Sequence, residues 1–173
     1  NTDWFFLSHR LPIAKKAIEE DFVVHIATHI TDKKEKLEKY GFFVHELTIK
    51  RSSTSLIHNF FLFLEMLKIY RKIKPDLIHL ITIKPVIIGS LAAHFLVNSK
   101  RIVLSISGLG YVFTTSGVRA FFRKRIIIFL YKLVFMHRNL KVIFQNKNDL
   151  KEICNFTNLN IRNTILIPGS GVD

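Results

Sequence analysis

KPDLIHLITIKPVIIGSLAAHFLVNSKRIVLSISGLGY, residues 74–111, is the stretch whose reading decides the fold. Asp76-Leu-Ile-His-Leu-Ile81 follows a proline and is apolar and rich in branched residues, and Arg101-Ile-Val-Leu-Ser-Ile106 repeats that character. Both suit strands buried on two faces. Between them Pro85 to Val97 has helix length, with small residues at Gly89, Ser90, Ala92 and Ala93. A strand, a crossover helix and a second strand make the two strands parallel neighbours. In such sheets ligands sit outside the carboxyl ends of the strands, which here means Thr82-Ile-Lys84 and Ser107-Gly-Leu-Gly110.

Working outward, the same alternation extends in both directions. Asp3-Trp-Phe-Phe-Leu-Ser-His-Arg10 has no clear period and reads as a loop, leading into a helix that Pro12 starts and that runs to about Glu20. Phe22 to Ala27 reads as a strand, Thr31 to Tyr40 as a charged helix capped by Thr31 or Asp32 and stopped at Gly41, and Phe42 to Leu47 as the next strand. Ser55 to Ile73 is the clearest helix, with Leu56, Phe60, Phe63, Leu64, Leu67 and Tyr70 on one stripe. A second stripe, Ile57 and Phe61, widens its apolar face beyond what core contact requires. After Tyr111 come a small-residue loop, a helix Arg119 to Met136, a strand Lys141 to Phe144, a helix Lys147 to Phe156 and a last strand Thr164 to Ile167.

This order predicts an α/β fold, a Rossmann-like doubly wound parallel sheet. Residues 1–167 are expected to form one domain, and 168–173, Pro-Gly-Ser-Gly-Val-Asp, have the makeup of a linker. Such a sheet normally has a central strand just before its first helix, and nothing upstream of Asp3 supplies one. Either the chain begins after that strand, as the lack of an initiator Met suits, or the register of the first segment differs.

A chain of 173 residues is long enough to bury a full core. Its formal charge of +13, from 26 Lys and Arg against 13 Asp and Glu, asks for an anionic partner: nucleic acid, phospholipid or a phosphorylated substrate. Cys154 is the only cysteine, so no internal disulfide forms and a reducing compartment is the simpler expectation. Asn1-Thr-Asp3 is polar and acidic where a secretory signal would be basic. A spanning helix needs about 20 mainly apolar residues, and no uninterrupted run of that kind occurs; the chain is expected to be soluble or surface-bound.

The eight histidines are scattered, without metal-ligand spacing. His25, His45 and His79 fall within strands and are expected to be structural. A dinucleotide fingerprint and a Walker A loop are lacking, which counts against nicotinamide enzymes and P-loop NTPases, and there is no nucleophile elbow either. Ser107-Gly-Leu-Gly110 could let a ligand approach the backbone closely or could be a plain turn. Thr82 and Lys84 would bring a hydroxyl and an ammonium to the same edge, unless Lys84 merely starts a helix. Arg119-Ala-Phe-Phe-Arg-Lys-Arg125, followed by Ile126-Ile-Ile-Phe-Leu-Tyr131, would form a helix with Phe122, Ile126, Phe129, Leu130 and Leu133 together. Its basic first turns would hold an anionic leaflet reversibly, at about 1 kcal/mol per basic residue; the alternative is a core helix with a solvated basic end. Nucleic acid is a less suitable partner, since no reader motif accompanies the patch.

Asp3-Trp-Phe-Phe-Leu-Ser-His-Arg-Leu-Pro-Ile-Ala14, His79-Leu-Ile-Thr-Ile-Lys-Pro85 with Gly89, Ser107-Gly-Leu-Gly-Tyr-Val-Phe113, Phe144-Gln-Asn146 and Ile167-Pro-Gly-Ser-Gly-Val-Asp173 together resemble the amino-terminal half of family 4 glycosyltransferases. The resemblance covers essentially the whole chain, in order, and rests on the combined spacing. It implies one half of a GT-B architecture, in which two Rossmann-like domains face each other across a cleft. The first receives the acceptor, often a lipid-linked saccharide at the cytoplasmic face of the membrane, and the second holds most contacts to the nucleotide-sugar. Transfer typically keeps the anomeric configuration and uses no metal or cofactor.

Carried onto this chain, the resemblance makes Asp3, Trp4, Phe5 and His9 part of a first loop facing the cleft, with Thr82, Lys84, Gly108, Gly110, Tyr111 and Gln145 lining the same side. Arg119, Phe122, Arg123, Lys124 and Arg125 would meet the membrane surface. Many members carry His-Gly where this chain has Ser107-Gly108, so a histidine contact of those relatives has no counterpart here. The donor-side glutamate motif has none either, so no catalytic residue is assigned and the chain alone should be inactive. The expected function is acceptor binding within a retaining transferase of cell-surface polysaccharide or lipopolysaccharide synthesis, cytoplasmic and peripheral on the inner face of the plasma membrane. Two alternatives stay open: half of a GT-B sugar-nucleotide 2-epimerase, and a non-catalytic basic module binding acidic lipid or nucleic acid.

Overall fold

Pro12 makes the first departure from the expected pattern. Asp3–His9 is helical (α1), not a loop, and a second helix, Leu11–Glu19 (α2), follows after a break at Arg10, where φ is −130° and ψ −6°. Proline has no N–H for the carbonyl four residues back and its ring would clash with it, so one helix cannot run through position 12. The computed structural model describes residues 2–49, 55–96, 101–109 and 117–169, with Arg119 described by its backbone alone.

The chain divides into two compact units, one running up to Ile69 and the other Tyr70–Pro168. In the first, His25–Thr28 (β1) and Phe43–Glu46 (β2) pair in parallel, with His25 opposite Phe43 and Thr28 opposite Glu46. β1 begins three residues later than the apolar pattern suggests. The reason is local: Asp21 takes a left-handed φ of 62°, and the Phe22 N–H turns back to the Ala17 carbonyl at 3.0 Å. That closes α2 with a Schellman-type cap, so Phe22 is spent on the helix end. Lys34–Lys39 (α3) joins the two strands, and Ala14, Ile26, Leu37 and Phe42 form the buried centre. Leu56–Ile73 (α4) follows, with Leu62 and Met66 buried on its inner side. Its Glu65 carboxylate accepts the Thr48 N–H at 3.0 Å and the Thr48 hydroxyl at 2.6 Å.

Where a strand before the first helix was expected, a single parallel bridge joins Thr2 to His29, and the Asp3 N–H donates to the His29 carbonyl at 3.0 Å.

The second unit carries a four-stranded, wholly parallel sheet in sequence order: Leu77–Ile81 (β3), Arg101–Ile106 (β4), Leu140–Phe144 (β5) and Thr164–Leu166 (β6). Ile83–Ala93 (α5), Val118–Val134 (α6) and Lys147–Phe156 (α7) are the crossovers. Ile78, Leu80, Ile102, Leu104, Ile106, Val142 and Phe144 are buried in the sheet. Over them, α5 buries Gly89, Ser90, Ala92 and Ala93, whose small side chains let the helix lie close to β3 and β4. α5 starts two residues ahead of Pro85, which therefore sits in the first turn, where its missing N–H costs nothing. Among the described residues, no helix is long and apolar enough to cross a membrane.

Candidate functional site

Parallel pairing fixes which residues leave the second unit's sheet together. Ile81 lies opposite Ser105, Ile106 opposite Phe144, and Phe144 opposite Leu166. Two further bonds continue the ladder past the strand ends, from the Thr82 N–H to the Ser105 carbonyl at 3.2 Å and from the Ile167 N–H to the Phe144 carbonyl at 2.9 Å. Thr82, Ser107-Gly108, Gln145 and Ile167 thus form a row along one rim, at the carboxyl ends where open α/β sheets bind ligands.

Within that row Thr82 is under strain. Its φ of 71° and ψ of 158° place a non-glycine residue in a region that glycine alone occupies readily. It is the N-cap of α5, whose amino-terminal dipole end opens at the rim. Lys84 lies in the first turn of that helix, and burial holds its ammonium below the ordinary lysine range. Gly108 has φ 112°, yet among the described residues no atom beyond its own residue and its chain neighbours lies within 4 Å of where a Cβ would stand. Backbone conformation, not space, requires glycine there. Leu109, fully buried, pins the turn.

After β5, Gln145 is half-buried at the rim, and Asn146 is committed to the fold. The Asn146 side chain accepts the Asp149 N–H at 2.8 Å and donates to the Asp149 carboxylate at 2.8 Å, capping α7. Gly110 and Tyr111 lie outside the described residues. Behind the rim, His79 and Ser105 share a 2.7 Å hydrogen bond between neighbouring strands, the structural role expected of a strand histidine.

In the first unit the expected cleft loop is helix α1, and its residues divide by role. Asp3 is fully buried and turns inward: its carboxylate accepts N–H groups of Trp4 at 2.8 Å, Thr31 at 2.8 Å, Asp32 at 3.2 Å and Lys33 at 2.9 Å, and the Thr31 hydroxyl at 2.7 Å. Burial alone would raise its pKa, but the hydrogen bonds from Lys33, Thr31 and Trp4 outweigh it and hold the group down at about 2. Asp3 is therefore a structural cap for the segment entering α3, in place of the Thr31 or Asp32 cap and of a cleft-facing role. Trp4 is half exposed and meets Phe5 edge-on at 5.9 Å, and Phe5 stacks on His9 at 4.2 Å, while His9 Nδ1 and the Ser8 hydroxyl are 2.6 Å apart. These make an aromatic and polar surface on α1.

The basic segment of α6 is also divided. Phe122 and Arg125 are exposed, together with Val118, Phe121, Ile126 and Phe129. Arg123 is half-buried, and the Lys124 ammonium lies over the Phe156 ring at 4.6 Å, so these two do not join the outward stripe. The Arg125 guanidinium lies over Phe121 at 5.2 Å. The Arg119 side chain lies outside the described residues. Leu130 and Leu133 turn partly inward instead of joining Phe122, Ile126 and Phe129. Among the described residues no three His, Cys, Asp or Glu side chains are grouped to hold a metal ion.

A hydrogen-bonded pair that the sequence reading missed is His25 and His45, with Nδ1 and Nε2 2.9 Å apart across β1 and β2. Only the register reveals it. The strain at Thr82 was equally hidden, since threonine carries no signal for a positive φ.

The model of the glycosyl transferase 4-like family matches residues 1–146. Among solved structures, the chain is similar to the crystal structure of a glycosyltransferase from Rickettsia africae ESF-5, with a TM-score of 0.60 and 14% identity over 90% of this chain. At that identity the likeness speaks for the fold, and the chain spans 37% of that protein's length. No curated protein matches the chain. The family match covers most of the sequence and takes in α1, the rim residues Thr82, Lys84 and Gly108, and β5 with Gln145; the chain belongs to the glycosyl transferase 4-like family.

Proposed function

We propose that this chain is the acceptor-side domain of a retaining glycosyltransferase, moving a sugar from a nucleotide-sugar to a lipid-linked or saccharide acceptor in cell-surface polysaccharide or lipopolysaccharide synthesis. The observation that carries the reading is the rim: one register brings a strained threonine, a helix amino terminus with a lysine in its first turn, a glycine turn and a glutamine amide to adjacent strand ends. Such a row offers a hydroxyl, an ammonium and an amide to a polyhydroxylated or phosphorylated acceptor, and backbone that a ligand can approach closely. Lys84 would meet the phosphate of a lipid-linked acceptor, and Gln145 a sugar hydroxyl. Trp4 and His9 would supply an aromatic surface suited to a sugar ring.

The nucleotide-sugar is a substrate here, held mainly by a second Rossmann-like domain, and residues 1–173 alone do not turn over. The membrane reading is supported by α6, whose outward stripe combines Val118, Phe121, Phe122, Ile126 and Phe129 with Arg125. It suits reversible contact with an anionic leaflet, at the cytoplasmic face of the plasma membrane.

The test is nucleotide release by the full-length protein given nucleotide-sugars and polyprenyl-linked acceptors. Gln145→Ala and Lys84→Met are expected to raise the acceptor KM roughly tenfold, the cost of losing one or two polar contacts. Absence of turnover with every such acceptor, or an unchanged acceptor KM in both variants, would defeat the proposal.

A further inference from the structure

α4 leaves a large apolar face in water. At 3.6 residues per turn, Leu56, Ile57, Phe60, Phe61, Leu64, Lys68, Arg71 and Lys72 fall within an arc of about 160°. The five apolar members are 41–83% exposed, although the opposite side of the helix already supplies Leu62 and Met66 to the core. Contiguous apolar patches of this kind mark interaction surfaces. No carboxylate lies inside the arc; Glu65, at its edge, is taken up by Thr48.

We infer that α4 is a lipid-binding helix, which enters an anionic bilayer obliquely with its amino-terminal turns in the acyl region and Lys68, Arg71 and Lys72 at the phosphates. The two chemistries come in succession along the axis, with centres roughly 15 Å apart at 1.5 Å per residue. Inclined by about 30°, that separation becomes a depth of about 7 Å, within the range to which interfacial helices bury their apolar faces. A bilayer supplies hydrocarbon and negative charge in that order. A second copy of the chain does not: packed parallel, the basic ends would repel, and packed antiparallel, apolar turns would meet ammonium groups. The net charge of +13 favours an anionic surface in the same direction. This contact is separate from the one read on α6, and it can be measured without substrate, so its failure leaves the transferase reading standing.

Vesicle flotation of the full chain tests it, with pure phosphatidylcholine and with equal parts phosphatidylcholine and phosphatidylglycerol. Phe60→Ser/Phe61→Ser is expected to lower partition into the mixed vesicles roughly 100-fold, as loss of two inserted aromatic rings implies. Lys68→Glu/Arg71→Glu/Lys72→Glu should lower the preference for phosphatidylglycerol roughly 100-fold, since each basic residue near an anionic leaflet contributes roughly fivefold. Should the serine pair disturb folding, Trp4→Phe/Phe60→Trp gives a single tryptophan in a conservative background, whose fluorescence acyl-brominated lipids should quench. Unquenched fluorescence in bound protein overturns the proposal. So does partition within twofold of wild type in a folded serine pair, or a wild-type dimer that the pair dissolves.

Discussion

Replacing Asp3 by asparagine tests the least obvious contact in the molecule, one carboxylate that collects five hydrogen bonds while fully buried. Its pKa of about 2, against an ordinary 3.8, measures how much better the fold holds the ionised form. At about 1.4 kcal/mol per pH unit, the difference is about 2 kcal/mol. Asparagine keeps the shape but offers one carbonyl oxygen and turns an NH2 group toward backbone N–H donors. The expected loss at neutral pH is about 3 kcal/mol, the pH-linked part plus a modest penalty for a donor left facing donors.

The sign of the pH dependence follows from the direction of the shift. The folded-state value lies below the unfolded one, so the unfolded chain takes up the proton first as pH falls. The stabilisation is full above about pH 4 and is lost as pH drops toward 2. Because the chain forms two units, a global midpoint is a blunt probe, and hydrogen exchange at the Thr31, Asp32 and Lys33 amides is the sharper one. Those amides should exchange roughly 100-fold faster in Asp3→Asn at neutral pH, and urea unfolding should show wild type and variant converging between pH 4 and 2. Equal protection at the three amides, or a stability difference that does not shrink in acid, refutes the assignment.

Two further predictions concern the rim. Thr82→Gly should raise stability by about 1–2 kcal/mol in urea unfolding, because glycine occupies this backbone region without strain; a less stable variant would mean that side-chain contacts, not strain, dominate the position. Ser105→Ala removes the 2.7 Å bond to His79 from a buried site and should cost about 1 kcal/mol, with no change in stability refuting a structural role for the pair.

The elements legible in the sequence are those whose identity depends on local pattern. β4 at Arg101–Ile106 and α7 at Lys147–Phe156 end where the apolar runs and caps place them, and the parallel order of β3 and β4 follows from the length between them. α1 escaped because seven residues carry too little periodicity to distinguish a helix from a loop. The role of Asp3 escaped for a different reason: its partners lie 28 to 30 residues downstream, and no local signal links an acidic first-turn residue to N–H groups so far away. Thr82 escaped because the sheet and α5 together impose its conformation, against the preference of the residue.

The basic segment of α6 divides for a reason that helix geometry supplies. Successive helical residues are rotated by about 100°, so Arg123, Lys124 and Arg125 span about 200° and cannot form one patch. The fold assigns them separately: Arg125 outward among Phe121, Phe122 and Ile126, Lys124 onto Phe156, and Arg123 partly inward. What periodicity could not decide is which side faces the core, since apolar residues occur at nearly every angle of this helix. Packing decides it, with α5 as the neighbouring helix, by burying Ala120, Tyr131 and Val134, and what remains is an outward face that is apolar with single charges. The surface chemistry of such a helix is thus a remainder left by packing. α4 obeys the same logic with one difference: Arg71 and Lys72 follow Lys68 by three and four positions, and so share one face with it and with the exposed aromatics. Spacing, more than local density of charge, therefore makes α4 the stronger candidate for a lipid surface.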